Sequence, residues 1–251
     1  MTSIYVTVIL LSLLSCVTTC LGVGLALLMR ESPRSIAVGI GFSVGTMVLI
    51  SVLELIPESI ASMGTARVLT GALVGALLVW LAHVLIPNFH LIKGNGITDR
   101  AHFKSAYLMV FGLILHDVPE GFAMANAYVS SPALGVIVAL AIGLHNLPEE
   151  FAMAVPIVTL RSKRFLFNAA LLSALAEPAG AIIGLIAVGI APLFNAAFMA
   201  LAAGAMIFVS IHELIPFARR YGHIGHFLMG LMLSALVMWL LASFIGSHAI
   251  R

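Results

Sequence analysis

The run HDVPEG, residues 116–121, brings His116, Asp117 and Glu120 together, and HNLPEE, residues 145–150, does the same with His145, Asn146 and Glu149. At about 100° per helical residue, His116 and Glu120 lie about 40° apart, one turn along a single face. Asp117 lies about 100° from His116 and about 60° from Glu120. His145 and Glu149 repeat the one-turn spacing, with Asn146 in the place of Asp117. Two such helices face to face would offer two imidazoles and two carboxylates, with Asp117 and Asn146 beside them. Nitrogen and oxygen donors of this kind suit zinc, and also iron or manganese. Such ligands bind metal only when deprotonated, and an unperturbed imidazole titrates near pH ~6.5, so acid would assist release. Hydrolysis is not indicated, because the chain has no H-E-x-x-H pattern. The expectation is therefore a protein that is not an enzyme and has no catalytic cofactor.

Other residues adjoin this pattern. Pro119 and Pro148 lack the N–H that the carbonyls of Leu115 and Leu144 would accept, so an interruption beside each histidine is expected. Glu177, in SALAEPAGA, is a third acid followed by proline. The small residues around it permit close helix approach, and it is expected to face the two motifs. Met124 and Met153 follow one turn later and read as packing, or as a soft lining.

The elements that must position these groups are membrane spans. The chain has 251 residues, 62% hydrophobic and 9% charged, against about 25% charged in soluble domains. A span needs roughly 20 apolar residues. Eight runs qualify, at about 4–29, 35–60, 67–90, 104–128, 133–159, 165–190, 193–217 and 225–246. They use nearly the whole chain, so a single transmembrane domain over residues 1–251 is expected, with no separate soluble domain. The first run is too long for a signal segment and reads as a retained span. Cys16 and Cys20, four apart in it, make neither a disulfide framework nor a closed zinc site and read as packing.

The distribution of charge sets orientation. Arg30, Arg34, Lys93, Arg100, Lys104, Arg161, Lys163, Arg164, Arg219 and Arg220 sit in or beside odd-numbered loops, while Arg67 and Arg251 fall on the other side. Ten against two puts the odd loops, including the polar linker at about 91–103, in the cytoplasm and both termini outside. No basic cluster suggests nucleic acid. The bilayer and a divalent cation are the expected partners.

Two internal similarities go further. GTMVLISVLELIP (45–57) aligns without gaps to GAMIFVSIHELIP (204–216), and HDVPEGFAMA (116–125) to HNLPEEFAMA (145–154). Each matched pair would run in opposite directions through the bilayer. Inverted repeats around a central polar site are a transporter pattern. The fold class expected is all-α and integral to the membrane, with eight spans in a three-two-three arrangement. Asp117, Glu120, Glu149, Glu150 and Glu177 lie near mid-bilayer with no Lys or Arg at that depth. At about 2.5–3.5 kcal/mol each, five such acids cost on the order of 12–18 kcal/mol if summed. Protons, water or a bound cation must compensate, and a divalent ion that neutralises two carboxylates and leaves again suits carriage.

In these motifs the chain resembles the Zrt-, Irt-like (ZIP) zinc and iron transporters, with HDVPEG, HNLPEE and AEPAG as the three family elements in spans four, five and six. The resemblance implies a transport site of His116, Asp117, Glu120, His145, Asn146, Glu149 and Glu177. It adds Met47, in span two, as an accessory ligand or a packing residue. It also implies eight spans, outside termini, divalent-metal import into the cytosol across the plasma (inner) membrane, and frequent assembly as homodimers. Two residues depart from the family pattern: Asp117 stands where Asn is usual, and Glu150 where Gly is usual. Glu150, about 100° from Glu149, is expected at the rim of the site. The loop histidines His90 and His102 are too few for a metal-sensing loop.

Further groups lie near the span ends. His212 and Glu213 could form a cytoplasmic exit station, Glu54 and Glu58 could attract cations outside, and His223 and His226 could receive metal inside. The alternative for all of them is solvation at helix ends, and His83 reads as a bonded core residue. The rival to a metal carrier of this kind is a metal-independent, proton-coupled solute carrier, which also uses buried acids.

Overall fold

The computed structural model describes residues 2–28, 32–85, 117–159 and 163–249. Among them are eight helices: α1 (Thr2–Leu28), α2 (Pro33–Met63), α3 (Thr65–Leu85), α4 (117–130), α5 (Pro132–Thr159), α6 (Lys163–Ile190), α7 (Pro192–Arg219) and α8 (Ile224–Ala249). Seven of these, all but α4, are long and apolar enough to cross a membrane. The expected fourth span, 104–128, is described only from Asp117 onward, so His116 and Leu115 lie outside the described residues. The linker at 91–103, with His90 and His102 at its edges, also lies outside them.

Local chemistry sets the helix ends. Ser32 caps α2 by accepting the Ser35 N–H, and Pro33 occupies the first turn, where a missing N–H removes no helical bond. Gly64, at φ 82°, turns α2 into α3, a backbone region that glycine enters without steric penalty. Between the ends, apolar residues cover every face, so tertiary contacts rather than periodicity decide which face turns inward. Large side chains such as Trp80, Phe167, Trp239 and Phe244 lie on the outside, where lipid would meet them.

α1 lies along α5 and α6, while α2 lies along α8 and α3 along α7. α2 also borders α5. A core of Ile36, Ile40, Met47, Met124, Ile142, Met199 and Met206 fills the centre. The crossing of α4 and α6 is the tightest element of the site. A Cβ on Gly121 would collide with the carbonyl of Glu177, and one on Gly180 with the carbonyl of Val118. Glycine at both points lets two backbones meet directly beneath the acids they carry.

The expected interruption at the second histidine motif is not what the structure displays, and the one at the first turns on Leu115 and His116, outside the described residues. α5 runs as α-helix straight through Pro148, and Pro119 lies in the first described turn of α4. Pro148 removes only the N–H that the Leu144 carbonyl would accept, and Ser43 of α2 donates to the neighbouring carbonyl of His145 at 3.1 Å. The irregular segments fall instead in the other repeat. α2 becomes π-helical over Ile50–Leu55 and α7 over Ser210–Leu214, each just before a proline, Pro57 or Pro216. In both, the N–H of the residue before the proline reaches back five residues, Ile56 to Ser51 and Ile215 to Ser210. Both serines also donate to the carbonyl four residues earlier, that of Met47 or Met206. Each widened turn carries the matched acid, Glu54 or Glu213, and π-bulges are frequent at functional sites.

Candidate metal centre

Glu120 of α4 and His145 of α5 are both fully buried and in direct contact, with Nε2 of the imidazole 3.2 Å from Oε1 of the carboxylate. The other ring nitrogen, Nδ1, lies 2.9 Å from the carbonyl oxygen of Ala141. A carbonyl only accepts, so Nδ1 must carry the hydrogen. The remaining nitrogen then points at a carboxylate, and two electron-rich atoms at this distance need positive charge between them, either a proton or a cation. A backbone carbonyl that fixes the tautomer in this way is the usual outer support of a metal-binding histidine. The separation fits as well, because two ligands each about 2.0–2.1 Å from a tetrahedral zinc stand about 3.3 Å apart.

The second arm comes from α5 and α6. Asn146 donates through its amide to Glu177 Oε2 at 2.9 Å, and both are buried. Ser15 of α1 hydrogen-bonds the Glu177 side chain, and Glu177 interacts electrostatically with Glu120 and His145. Glu149, one turn beyond His145, is buried and acts on the same imidazole. Glu120 Oε2 has no hydrogen-bond partner among the described residues. Glu120 of α4, His145 and Glu149 of α5, and Glu177 of α6 thus lie near one another, with Asn146 bonded to Glu177. Among the described residues no three His, Cys, Asp or Glu side chains are gathered to hold a metal ion. The donors are paired with one another instead, and His116, the expected neighbour of Glu120, lies outside the described residues.

Asp117 and Glu150 turn a different way. Asp117 accepts from the Ser173 hydroxyl at 2.6 Å, and the same hydroxyl meets Glu150 Oε1, which also accepts from Thr19 at 3.2 Å. Glu150, expected at a rim, is buried against α1 and α6. Hydroxyl groups reaching across from α1 and α6 explain why a carboxyl can sit there. Sequence reasoning missed Ser15, Thr19 and Ser173. The available signals were a hydroxyl stripe at Ser12, Ser15 and Thr19 and the one-turn spacing of Ser173 before Glu177.

The family description "ZIP Zinc transporter" matches residues 90–245. The chain belongs to the ZIP family. Its curated ZIP relatives include a Zinc transporter ZupT of Chlorobium limicola, 35% identical over 93% of this chain and 96% of that one. The ZupT of Corynebacterium aurimucosum is 33% identical over 91% and 93% of the two chains, and Zinc transporter GufA of Myxococcus xanthus is 38% identical over 66% of each. Like the family, this ZIP chain is a multi-pass membrane protein.

The remaining candidates in this ZIP chain sort by helix end. His83, at the end of α3, is paired rather than alone, its Nδ1 3.3 Å from Glu213 Oε1, and the His83 and His212 rings stand 6.0 Å apart. His212 stacks on Phe208. Glu58, at the end of α2, accepts from Ser130 at the end of α4 at 2.6 Å. α2 and α3 are joined at Gly64, so the Glu58 end and the His83 end are opposite ends of the bundle. Met47 is buried in the core, with its sulfur 3.7 Å from the Ser210 hydroxyl of α7. Met124 is a core residue, the Met153 side chain lies outside those described, and the His223 and His226 rings meet at 5.5 Å in the turn into α8.

Proposed function

We propose that this chain carries divalent metal cations, zinc foremost and also iron, manganese or cadmium, into the cytosol through a site between α4, α5 and α6. The observation that carries this reading is the Glu120–His145 pair, fully buried, tautomer-fixed and spaced as two ligands of one ion. The names of the relatives, zinc transporters all, support the cargo. The site comprises His116, Asp117, Glu120, His145, Asn146, Glu149 and Glu177, with Met47, Glu150, His212 and Glu213 accessory to it.

The mechanism we propose is alternating access. α1, α4, α5 and α6 hold the cation, and α2, α3, α7 and α8 form the frame against which they move. The contact of Ser43 with the His145 carbonyl lies on the boundary between the two groups, and so does the approach of Gly39 to Pro148. Glu54 and Glu58 attract cations outside, and His83, His212 and Glu213 receive them at the cytoplasmic end. When a proton replaces the cation between Glu120 and His145, the positive charge both groups require is retained, so proton and metal compete for one place. The reading includes one transporter domain over residues 1–251 in the inner membrane, both termini outside, three-two-three inverted repeats, and assembly as a homodimer.

The test is competitive uptake of zinc, iron, manganese and cadmium by proteoliposomes, with elemental quantification. Zinc accumulation that the other cations suppress is expected. Proton-driven movement of an organic solute with no divalent cation bound or carried would replace this reading by the solute-carrier alternative.

A further inference from the structure

The mechanism above leaves one buried hydroxyl without a role. Ser173 is one turn before Glu177 on α6, almost fully buried, and its oxygen stands between two carboxylates, Asp117 Oδ2 of α4 at 2.6 Å and Glu150 Oε1 of α5. These two acids are the positions at which this chain departs from the pattern it resembles. Ser173 touches neither Glu120 nor His145 by hydrogen bond. A serine hydroxyl has a single proton to donate, so it serves one of the two carboxylates at a time. Thr19, on the far side, gives Glu150 Oε1 a donor of its own.

We propose that Ser173 is the positioning residue that governs how Asp117 engages the transported cation, a role that rests on the metal-carrier reading above. Ser173 donates a hydrogen bond to Asp117 Oδ2, and Thr19 supports Glu150. When the cation binds, Asp117 keeps that bond through Oδ2 and offers its other oxygen to the cation. Each acid keeps a donor with and without the cation, so neither arrangement leaves a buried acceptor without its bond. No covalent step is involved, only the approach of one carboxylate oxygen to the cation.

Groups that orient metal ligands from behind typically change affinity or activity about 10- to 100-fold when removed. Zinc uptake by proteoliposomes and equilibrium zinc binding to monodisperse purified protein are measured for wild type, Ser173→Ala, Ser173→Thr, Asp117→Asn, and Asp117→Asn combined with Ser173→Ala. Ser173→Ala is expected to raise KM and Kd for zinc about tenfold or more while maximal uptake changes far less. Ser173→Thr, which keeps the hydroxyl, restores most of the affinity. On the Asp117→Asn background, Ser173→Ala adds little, because two residues acting as one unit are not additive. An unchanged KM and Kd in Ser173→Ala overturns the proposal, as do equal losses in the alanine and threonine variants or full additivity in the double variant. Should wild type bind zinc without carrying it, the transport reading fails alone and the Kd series still decides Ser173. Should wild type bind no zinc, both fall together.

Discussion

Glu120→Gln combined with Glu149→Gln abolishes zinc uptake while the protein still inserts and folds. Glutamine matches glutamate in shape and still offers a carbonyl oxygen to its neighbours, but it brings no negative charge to a divalent ion. Removing one charged partner from a buried pair costs about 3–5 kcal/mol, and each 1.4 kcal/mol is about tenfold in affinity. The double variant should thus lose well over about a hundredfold in zinc affinity. Folding is spared because an uncharged side chain at mid-bilayer depth removes a burden of about 2.5–3.5 kcal/mol per acid. Thermal unfolding in detergent separates the two effects. Wild type gains stability when zinc is added, through mass action on the folded state. The double variant unfolds at or above the zinc-free wild-type midpoint and does not respond to zinc. Uptake at wild-type levels in that variant would refute the assignment of these carboxylates.

Gly180→Val disables the protein by a different route. Glu177 and Glu120 meet because α4 and α6 touch backbone to backbone at Gly121 and Gly180, and a Cβ at Gly180 would occupy the space of the Val118 carbonyl. Backbone cannot swing aside as a flexible side chain can, so the helices must part. Overpacking of this kind costs about 1–3 kcal/mol, and separation also draws apart the acids of the site. Both thermal stability and zinc uptake should fall sharply. Gly24→Val is the control: no atom lies within 4 Å of a Cβ built there, so stability and uptake remain near those of wild type. Equal behaviour of the two variants would mean that the α4–α6 crossing does not hold the site together.

Much of this was legible in the sequence, for identifiable reasons. Eight apolar runs and two matched motifs announced a membrane protein with a polar centre, because His, Glu and Pro rarely recur by chance in an apolar run. The one-turn spacing of His145 and Glu149 anticipated a shared face, and the expectation that Glu177 turns toward α5 agrees with its bond to Asn146. Helix orientation was not legible, because residues apolar on every side carry no periodic signal. The hydroxyl groups were missed for a related reason. Many serines and threonines in these spans donate to a carbonyl three or four residues back, as Ser12, Thr46 and Ser59 do. Only packing reveals that Thr19 and Ser173 reach across to a neighbouring carboxylate. Proline misled in the same way. Pro148 looked like a break, yet α5 continues through it, whereas the turns that widen precede Pro57 and Pro216, whose relevance the repeat pattern held without revealing its form.

X-ray absorption at the zinc edge of the purified, zinc-loaded protein, set beside the same spectrum from His145→Ala, tests the central claim most directly. The account predicts nitrogen and oxygen donors at about 2.0–2.1 Å in wild type, with imidazole scattering that diminishes in the variant along with zinc affinity. A shell of water or sulfur alone, or an imidazole signal unaltered by His145→Ala, would contradict it.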